Sequence, residues 1–257
     1  MNSLEQTPSA IPAIRVEDLT MAYGDFVIMR DLTFTVRQGD IFIIMGGSGC
    51  GKSTLLRVMV GLKAPATGKV WYAEGSLWDA SPEKRDTMIR RTGILYQSGA
   101  LFSSMTLAEN IGLPLSQYTK LSSAEIRDLA SLKLSLVGLA GFEDFYPSEI
   151  SGGMCKRAGL ARAMALDPDI LFFDEPSAGL DPISAHLLDE LILELRESLR
   201  ATFVVVTHEL ASIFDIGTNA VFLDVSTRTM TASGDPKELL ASTTDANLRH
   251  FLTRGKE

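Results

Sequence analysis

Hydrophobic positions follow three patterns in the first part of the chain. Residues 13–45 alternate apolar and polar positions as strands do, with polar turns at Tyr23-Gly24-Asp25 and Gln38-Gly39-Asp40. Within this stretch, the run Ile41–Met45 is apolar throughout, which indicates a central strand buried on both faces. From Lys52 to Val60 the apolar spacing becomes helical. The chain is thus expected to start with strands and to enter its first helix shortly after a buried strand.

The rest of the chain alternates short apolar strands with longer helical stretches. A hairpin is predicted over 69–79, and mostly helical structure over 105–145 with a polar break at 117–123. Further strands are predicted at 170–173, 202–206 and 220–223. The helix after residue 173 has one apolar face, formed by Leu187, Leu188, Leu191, Ile192, Leu195 and Leu199. Strands that alternate with helices predict an α/β core built on a parallel sheet, with a helical subdomain inserted between about 98 and 155.

Composition and charge narrow the classes of partner. The chain has 257 residues, of which 46% are hydrophobic, and this suits one domain with a substantial core. Its 32 acidic residues against 24 basic ones give a net charge of −8. We therefore expect no nucleic-acid partner, because phosphate backbones attract basic surfaces. The apolar runs are also too short to cross a bilayer.

The N-terminus and the cysteines indicate a compartment. Met1–Pro12 is polar and has no apolar core segment, so no secretory signal peptide is predicted. Cys50 and Cys155 are too few for a disulfide framework and lack metal-ligand spacing. The compartment expected for such a chain is the reducing cytosol.

A glycine-rich segment directly follows the apolar run 41–45. It matches the phosphate-binding pattern G-x-x-x-x-G-K-[ST] through Gly46, Gly47, Ser48, Gly49, Cys50, Gly51, Lys52 and Ser53, and Thr54 continues it into the helix. Glycines allow backbone N–H groups to wrap around phosphate oxygens, and the helix that follows adds its positive N-terminal end. Lys52 is expected to reach the β- and γ-phosphates, and Ser53 to offer its hydroxyl to Mg²⁺. The segment predicts nucleotide binding and leaves kinases, GTPases and ATPases open.

Two adjacent carboxylates end the strand predicted at 170–173. Asp174 and Glu175 therefore lie at the carboxyl end of a strand, where open α/β sheets bind their ligands. We expect Asp174 to hold Mg²⁺ through water and Glu175 to polarise an attacking water as general base. The alternative is a solvated acidic turn before Pro176, which a phosphate-binding loop in the same chain makes the weaker interpretation.

The segment Ser151-Gly152-Gly153 begins a helical stretch about twenty residues before Asp174. Ser151 is suited to cap that helix, while the two glycines leave N–H groups open for an anion. With this segment in place, the chain resembles the ATPases of ABC transporters over essentially its whole length. That family uses ATP and Mg²⁺, and its S-G-G signature lies at this distance before the acidic pair.

The resemblance implies a fold and a domain organisation. The fold would be α/β, with a P-loop NTPase (RecA-like) core, an N-terminal antiparallel β part and an inserted α-helical subdomain. Residues 1–257 would form a single ABC ATPase domain, divided into a core with its β part at 12–97 and 156–240, a helical signature subdomain at 98–155, and a short tail at 241–257.

The resemblance also implies roles for single residues. Tyr23 corresponds to the aromatic residue that stacks on adenine, and Gln97 to the glutamine that contacts Mg²⁺ and the attacking water and senses the membrane partner. Asp181 corresponds to an aspartate at the dimer seam, and His208 to the switch histidine that contacts the γ-phosphate. The expected catalytic residues are Glu175, His208 and Gln97, and the expected Mg²⁺ ligands are Ser53, Gln97 and Asp174.

A single copy of each motif implies that two chains work together. In the family, the signature of one subunit completes the ATP site of the other. Ser151, Gly152, Gly153 and Asp181 are therefore expected to contact the nucleotide of a partner. A homodimer, or a pair with a close relative, would hold two ATP molecules between its halves. Closure of the dimer would then gate hydrolysis.

Finer similarity concerns one branch of the family. The segments 96–102 and 105–110, the signature with Met154, and the ending Phe251-Leu252 are similar to the Mla/Mce lipid-transport ATPases. Ile150 and Ser177-Ala178 depart from that pattern. The resemblance implies phospholipid transport across a Gram-negative envelope. The implied partners are a membrane permease, an MCE-domain substrate-binding protein and a STAS-domain protein, with the ATPase on the cytoplasmic face of the inner membrane.

Other machines remain as alternatives. DNA-repair members of the family carry long insertions between their motifs, and translation members join two cassettes in one chain; neither feature is present here. A small-solute importer and a regulatory ABC ATPase that acts on cell-wall remodelling both remain open. A nucleotide sensor that does not hydrolyse ATP is disfavoured, because Glu175 and His208 are both present.

Overall fold

A computed structural model describes residues 12–255. The expectation of no signal peptide rests on Met1–Pro12, of which residues 1–11 lie outside the described part. The last two residues of the predicted tail also lie outside it. The strands are β1 (Pro12–Tyr23), β2 (Phe26–Arg37), β3 (Ile41–Gly46), β4 (Thr67–Tyr72), β5 (Gly75–Ser76), β6 (Thr92–Leu95), β7 (Ile170–Asp174), β8 (Thr202–Val206), β9 (Asn219–Asp224) and β10 (Thr229–Gly234). The helices are α1 (Lys52–Met59), α2 (Pro82–Arg90), α3 (Leu107–Tyr118), α4 (Ser123–Leu136), α5 (Gly152–Ala163), α6 (Pro182–Leu199), α7 (Leu210–Ile216), α8 (Pro236–Ser242) and α9 (Ala246–Leu252), with a 3₁₀ turn at Pro147–Glu149.

The strands form two sheets. An antiparallel sheet of four strands has the order β2-β1-β4-β5. A sheet of six strands has the order β10-β9-β3-β8-β7-β6, in which every neighbouring pair is parallel except β10 with β9 at one edge. The predicted α/β fold, with its antiparallel β part and its parallel core, is confirmed.

Strand β3 lies in the interior of the six-stranded sheet, and all of its residues are buried. Its side chains alternate between two apolar cores, because successive residues of a strand point to opposite faces. Phe42 and Ile44 belong to the core shared with the antiparallel sheet, whereas Ile43 and Met45 belong to the core under the helices. Burial on both faces explains why this segment reads as a continuous apolar run.

Helices α3 and α4 begin with the same local device. Thr106 and Ser122 each accept a hydrogen bond from the backbone N–H three residues later, and Glu109 and Glu125 bond back to the capping residues. Such capping boxes satisfy N–H groups that the first turn of a helix leaves free. The polar break predicted between these helices is therefore confirmed. Helix α5 runs across the predicted subdomain boundary at residue 155, and the boundaries themselves stay a prediction.

No helix between residues 12 and 255 combines the length and the apolar character needed to cross a bilayer.

A buried carboxylate joins α6 to α7. Asp189 is 4% exposed; its Oδ2 accepts a hydrogen bond of 2.7 Å from Ser212 Oγ, while its Oδ1 has no partner within residues 12–255. Burial raises the pKa of Asp189 to about 6, and the nearby charge of Asp215 acts in the same direction. The ordinary value is near 3.8, so ionisation of this carboxyl costs free energy in the folded state that it does not cost in the unfolded chain.

The Asp189→Asn variant is expected to be more stable than the wild type by about 3 kcal/mol at pH 8, the free-energy equivalent of a pKa raised from 3.8 to about 6. The raised pKa means that the stability penalty is fully present above pH 6 and fades as the carboxyl becomes protonated at lower pH. The gain over wild type should therefore shrink by about 1 kcal/mol between pH 8 and pH 5.5. Urea unfolding at both pH values measures it, with the exposed Asp86→Asn as control. A gain that does not change with pH would contradict the assignment.

Candidate active site

The phosphate-binding segment leaves β3 and enters α1 through glycines that tolerate no side chain. Gly46 has φ +152°, and a Cβ there would lie 2.5 Å from the Leu223 carbonyl oxygen. Gly51 has φ +94°, and a Cβ there would lie 2.7 Å from Ile28 Cγ2. Both the dihedral angles and the close contacts therefore require glycine at the two ends of the loop.

Lys52 is the first residue of α1, and its side chain turns back over the loop. Its Nζ donates hydrogen bonds to the carbonyl oxygens of Gly46 (2.9 Å) and Gly47 (3.1 Å), and the side chain is only 8% exposed. A cation is thus held at the mouth of a loop whose next element presents the N-terminus of a helix. This combination favours binding of a negatively charged phosphate chain.

Ser53 and Asp174 are 121 residues apart in the sequence and lie side by side in the structure. Ser53 Oγ donates a hydrogen bond of 2.8 Å to Asp174 Oδ1, at the carboxyl end of β7. A hydroxyl and a carboxylate are the hard oxygen ligands that Mg²⁺ prefers, usually together with phosphate oxygens and water. The pair predicted to serve a magnesium ion therefore has the right chemistry and lies in one place.

Glu175 is held in an unusual backbone conformation. Its φ is +49°, a left-handed value that is rare outside glycine, and its N–H donates to the Val206 carbonyl oxygen of β8 at 2.8 Å. This turn directs the carboxylate back over the loop. There, His208 Nδ1 lies 2.9 Å from each carboxylate oxygen, and Lys52 Nζ lies 3.9 Å from Oε1.

His208 follows β8 and faces Glu175 from the next loop. Its Nδ1 lies within hydrogen-bonding distance of the carboxylate, 2.9 Å from Oε1, while its Nε2 lies 3.8 Å from Glu209 Oε1. Thr207 is fully buried, and its hydroxyl accepts a hydrogen bond of 3.0 Å from the Glu209 N–H. The loop that carries the histidine is therefore anchored from within, and the ring can orient the glutamate.

One open cleft of about 1060 Å³ unites most of the predicted residues. Those that line it are Tyr23, Gly47, Ser48, Gly49, Gly51, Lys52, Ser53, Thr54, Gln97, Glu175 and His208. Tyr23 is half-exposed, and Lys63 Nζ lies 4.2 Å from the centre of its ring. The structure thus brings the predicted aromatic, phosphate-binding and catalytic residues to one site, which is large enough for a nucleotide.

Cys50 occupies a different position from the rest of the loop. Its side chain is 1% exposed and does not line the cleft, and burial raises the pKa of its thiol. A raised pKa disfavours the reactive thiolate. Any contact of Cys50 with a nucleotide would have to come from its backbone.

The signature residues lie outside this cleft. Ser151 caps α5 by accepting a hydrogen bond of 3.2 Å from the Met154 N–H, as predicted. Asp181 caps α6 by accepting hydrogen bonds from the N–H groups of Ile183 and Ser184, each 3.0 Å. A further hydrogen bond from the Ser184 hydroxyl lowers the pKa of Asp181. None of Ser151, Gly152, Gly153 and Asp181 lines the cleft that holds Lys52 and Glu175.

Lys156 is a residue for which the sequence predicted no role. This residue of α5 is 6% exposed, and its Nζ donates to the carbonyl oxygens of Gln97 and Glu175. The only signal in the sequence is its position, because Lys156 shares a helix face with the buried Gly159 and Leu160. A lysine on a buried face needs acceptors for its protons, and that requirement points to a structural or functional contact.

Comparison with known proteins identifies the family. A profile described as ABC transporter matches residues 29–178. The "Intermembrane phospholipid transport system ATP-binding protein MlaF" of Haemophilus influenzae is 39% identical over 239 residues, which cover 93% of this chain and 89% of that protein. The "Probable ribonucleotide transport ATP-binding protein mkl" of Mycobacterium tuberculosis is 38% identical over 250 residues, which cover 97% of this chain and 68% of that protein.

Solved structures agree with this assignment. CbiO1 from Clostridium perfringens, part of an ABC transporter complex, superimposes with a TM-score of 0.82 at 26% identity and covers 90% of this chain and 92% of its own. A dimeric ATP-binding cassette bound to ADP and phosphate superimposes with a TM-score of 0.76 at 28% identity, covering 86% and 98%. The chain belongs to the ABC transporter family, as one of its ATP-binding ATPase subunits.

Proposed function

We propose that this ATPase energises the movement of phospholipid between the two membranes of a Gram-negative cell envelope. The observation that carries the proposal is the likeness to MlaF of Haemophilus influenzae, which spans 93% of this chain and 89% of that protein. MlaF of Escherichia coli is similar over 93% and 88%. A likeness that extends over nearly the whole of both chains supports a shared role better than a match to the nucleotide site alone.

The site geometry supports a hydrolysis mechanism in which Glu175 is the general base. Its carboxylate accepts a proton from the attacking water, and the His208 ring, 2.9 Å away, keeps that carboxylate oriented. Lys52 holds the β- and γ-phosphates after exchanging its present acceptors, the carbonyls of Gly46 and Gly47, for phosphate oxygens. Tyr23 offers its ring for stacking on adenine.

Magnesium is the metal that the donor set fits. Ser53 Oγ and Asp174 Oδ1 are oxygen donors 2.8 Å apart beside the phosphate loop, and Gln97 lines the same cleft. These residues would hold Mg²⁺, which would neutralise charge on the phosphate oxygens. Within the chain, Asp174 keeps Ser53 oriented towards that position.

We further propose that two copies of the chain form a head-to-tail homodimer. Ser151, Gly152 and Gly153 do not line the cleft of their own chain, so the signature has no nucleotide of its own to contact. Beside Asp181, the apolar side chains of Ile183 and Leu187 are 75% and 56% exposed on α6. Exposed apolar residues next to a predicted seam are suited to burial against a second copy. The related cassette bound to ADP and phosphate is itself dimeric.

The Ser151→Arg variant is expected to bind ATP as the wild type does but to lose at least tenfold in turnover. Arginine would place a long side chain where the γ-phosphate of the partner's nucleotide must approach the N-terminus of α5, and dimer closure would fail. ATP binding by calorimetry and turnover by phosphate release measure the two effects. Ser135→Arg, at an exposed position on α4, is the control. Wild-type turnover in Ser151→Arg would contradict a composite site.

A membrane permease is the proposed immediate partner. A groove of about 470 Å³ lies beside the loop that carries Gln97, and Tyr96 lines it together with the exposed Phe102 and Tyr118. We propose that a cytoplasmic segment of the permease occupies this groove, which would place the ATPase on the cytoplasmic face of the inner membrane. An MCE-domain protein and a STAS-domain protein would complete the assembly. The chain would divide into a core (12–97, 156–240) and a helical subdomain (98–155), and a movement between the two on nucleotide binding would reach the permease through the groove.

Affinity purification of the tagged protein from its own cell membrane tests this proposal. Recovery of a permease with an MCE-domain protein is the expected result. A matched variant with Phe102→Ser and Tyr118→Ser should lose the membrane partners while it still binds ATP. Recovery of a permease with a periplasmic solute-binding protein, or of a cell-division membrane protein, would overturn the lipid assignment.

Ribonucleotide transport is a second candidate, because the similar mycobacterial protein mkl carries that description. The match covers 68% of mkl, against 89% of the phospholipid-transport protein. Stimulation of the ATPase of the purified complex by phospholipid acceptor vesicles, compared with ribonucleotides, separates the two candidates.

A further inference from the structure

Lys156 connects three functional segments of the chain. It lies on α5, the helix that Ser151 caps, and it is 6% exposed. Its Nζ donates to the carbonyl oxygen of Gln97 and, at 3.5 Å, to that of Glu175. One side chain on the signature helix thus contacts the backbone of the predicted magnesium-contacting glutamine and of the proposed general base.

A buried lysine is a costly way to fill space. Burial lowers the pKa of Lys156, while the nearby charge of Glu175 raises it. Both carbonyl acceptors belong to loops rather than to helices or strands. The hydrogen bonds satisfy the buried ammonium group and also fix the position of these two loops. Methionine has nearly the same length and could fill the same volume without this cost. Packing alone therefore does not explain a lysine at this position, and its hydrogen bonds to the two loops must contribute to function.

A second set of contacts fixes the same loop to α5. Arg162 donates hydrogen bonds to the carbonyl oxygens of Gly99 (3.1 Å) and Ala100 (2.7 Å). Gly159 packs so closely that a Cβ there would lie 2.9 Å from the Gly99 carbonyl oxygen. The segment 97–100 is therefore anchored to α5 at both ends. Of these anchors, only Lys156 also contacts Glu175.

We infer that Lys156 is a positioning residue that transmits occupancy of the signature to the catalytic site of its own chain. In the proposed homodimer, Ser151 and the glycines after it contact the nucleotide of the partner subunit. When that contact forms, α5 shifts, and Lys156 carries the shift to the backbones of Gln97 and Glu175. Occupancy of one ATP site thereby changes the catalytic geometry of the other. The inference rests on the proposed function, because it requires the dimer.

The test compares Lys156→Met with Lys156→Arg and with a matched control. The control is Lys133→Met. Lys133 is also buried, with 5% of its surface exposed, but it pairs with Asp167 and lies outside the nucleotide cleft. For Lys156→Met, kcat should fall about tenfold or more with KM changed less than about threefold, as expected when an interaction that matters mainly in the transition state is lost. The Hill coefficient for ATP should fall from above 1 in the wild type to about 1. Lys156→Arg should recover part of both quantities.

Thermal unfolding of the three variants separates folding from function. Equal losses of turnover and cooperativity in Lys156→Met and Lys133→Met would overturn the inference, as would a fall in kcat with an unchanged Hill coefficient. A wild-type Hill coefficient of 1 would also overturn it, while leaving the proposed ATPase in place. A wild-type protein without ATP hydrolysis would instead refute the proposed function and, with it, the inference.

Discussion

Glu175→Gln is expected to lower the turnover of ATP by roughly 10²- to 10⁴-fold, the usual loss when a general base is removed. Glutamine keeps the size and the hydrogen-bonding length of the side chain but cannot accept the proton of the attacking water. ATP binding should survive, because Lys52 and Ser53 stay in place and the lost carboxylate charge, 3.9 Å from Lys52 Nζ, only opposes the negative charge of the phosphates. Phosphate release measures turnover, and size-exclusion chromatography with ATP should reveal a trapped dimer.

Glu209→Gln is the matched control for this experiment. Glu209 lines the same cleft, is 3.8 Å from His208 Nε2, and is more exposed than Glu175. If the loss of turnover in Glu175→Gln comes from removal of a general base and not from the loss of one negative charge in the cleft, Glu209→Gln should change turnover by less than about threefold. Normal turnover in Glu175→Gln would remove the assignment of the general base, and a loss of similar size in both variants would attribute the effect to the cleft potential.

Lys52→Ala is expected to weaken ATP binding by at least about tenfold, because a charge-assisted hydrogen bond to phosphate is lost from a largely buried position. The side chain also holds the carbonyls of Gly46 and Gly47, so its removal loosens the loop before any nucleotide arrives. The stabilisation that saturating ATP gives the wild type should therefore decrease, by about 1.4 kcal/mol for each tenfold loss of affinity.

Isothermal titration with an ATP analogue that resists hydrolysis measures the affinity of Lys52→Ala directly. The exposed Lys69, which pairs with Asp79, supplies the control variant Lys69→Ala, and its affinity should match that of the wild type. Undiminished binding by Lys52→Ala would mean that the phosphates lie elsewhere.

Much of the fold follows from local pattern alone. The run Ile41–Met45 indicates a strand buried on both faces, and β3 is such a strand. The predicted strands at 170–173, 202–206 and 220–223 lie within β7, β8 and β9. Weaker patterns were missed. Strand β6 has only four residues, including Gly93, and β10 is a half-exposed edge strand with little apolar content, so neither carries a strong periodic signal.

The site divides in the same way. Lys52, Ser53, Asp174 and Glu175 follow directly from short motifs whose residue types are dictated by phosphate and magnesium chemistry. Tyr23, Gln97 and His208 required the family resemblance, because a single aromatic or histidine after a strand has no local signature. Lys156 could not be assigned at all, since its acceptors lie on loops distant in the sequence and its burial depends on tertiary packing.

The left-handed backbone of Glu175 places the stability of the fold and the catalysis of ATP hydrolysis in conflict at one residue. A non-glycine residue at φ +49° costs about 1 kcal/mol, which a glycine at the same position would recover. Selection for thermal stability alone would thus reward loss of the proposed general base. Demand for ATP turnover opposes that replacement, so copies of this gene freed from the demand are expected to accept glycine at position 175 and to become more stable but inactive.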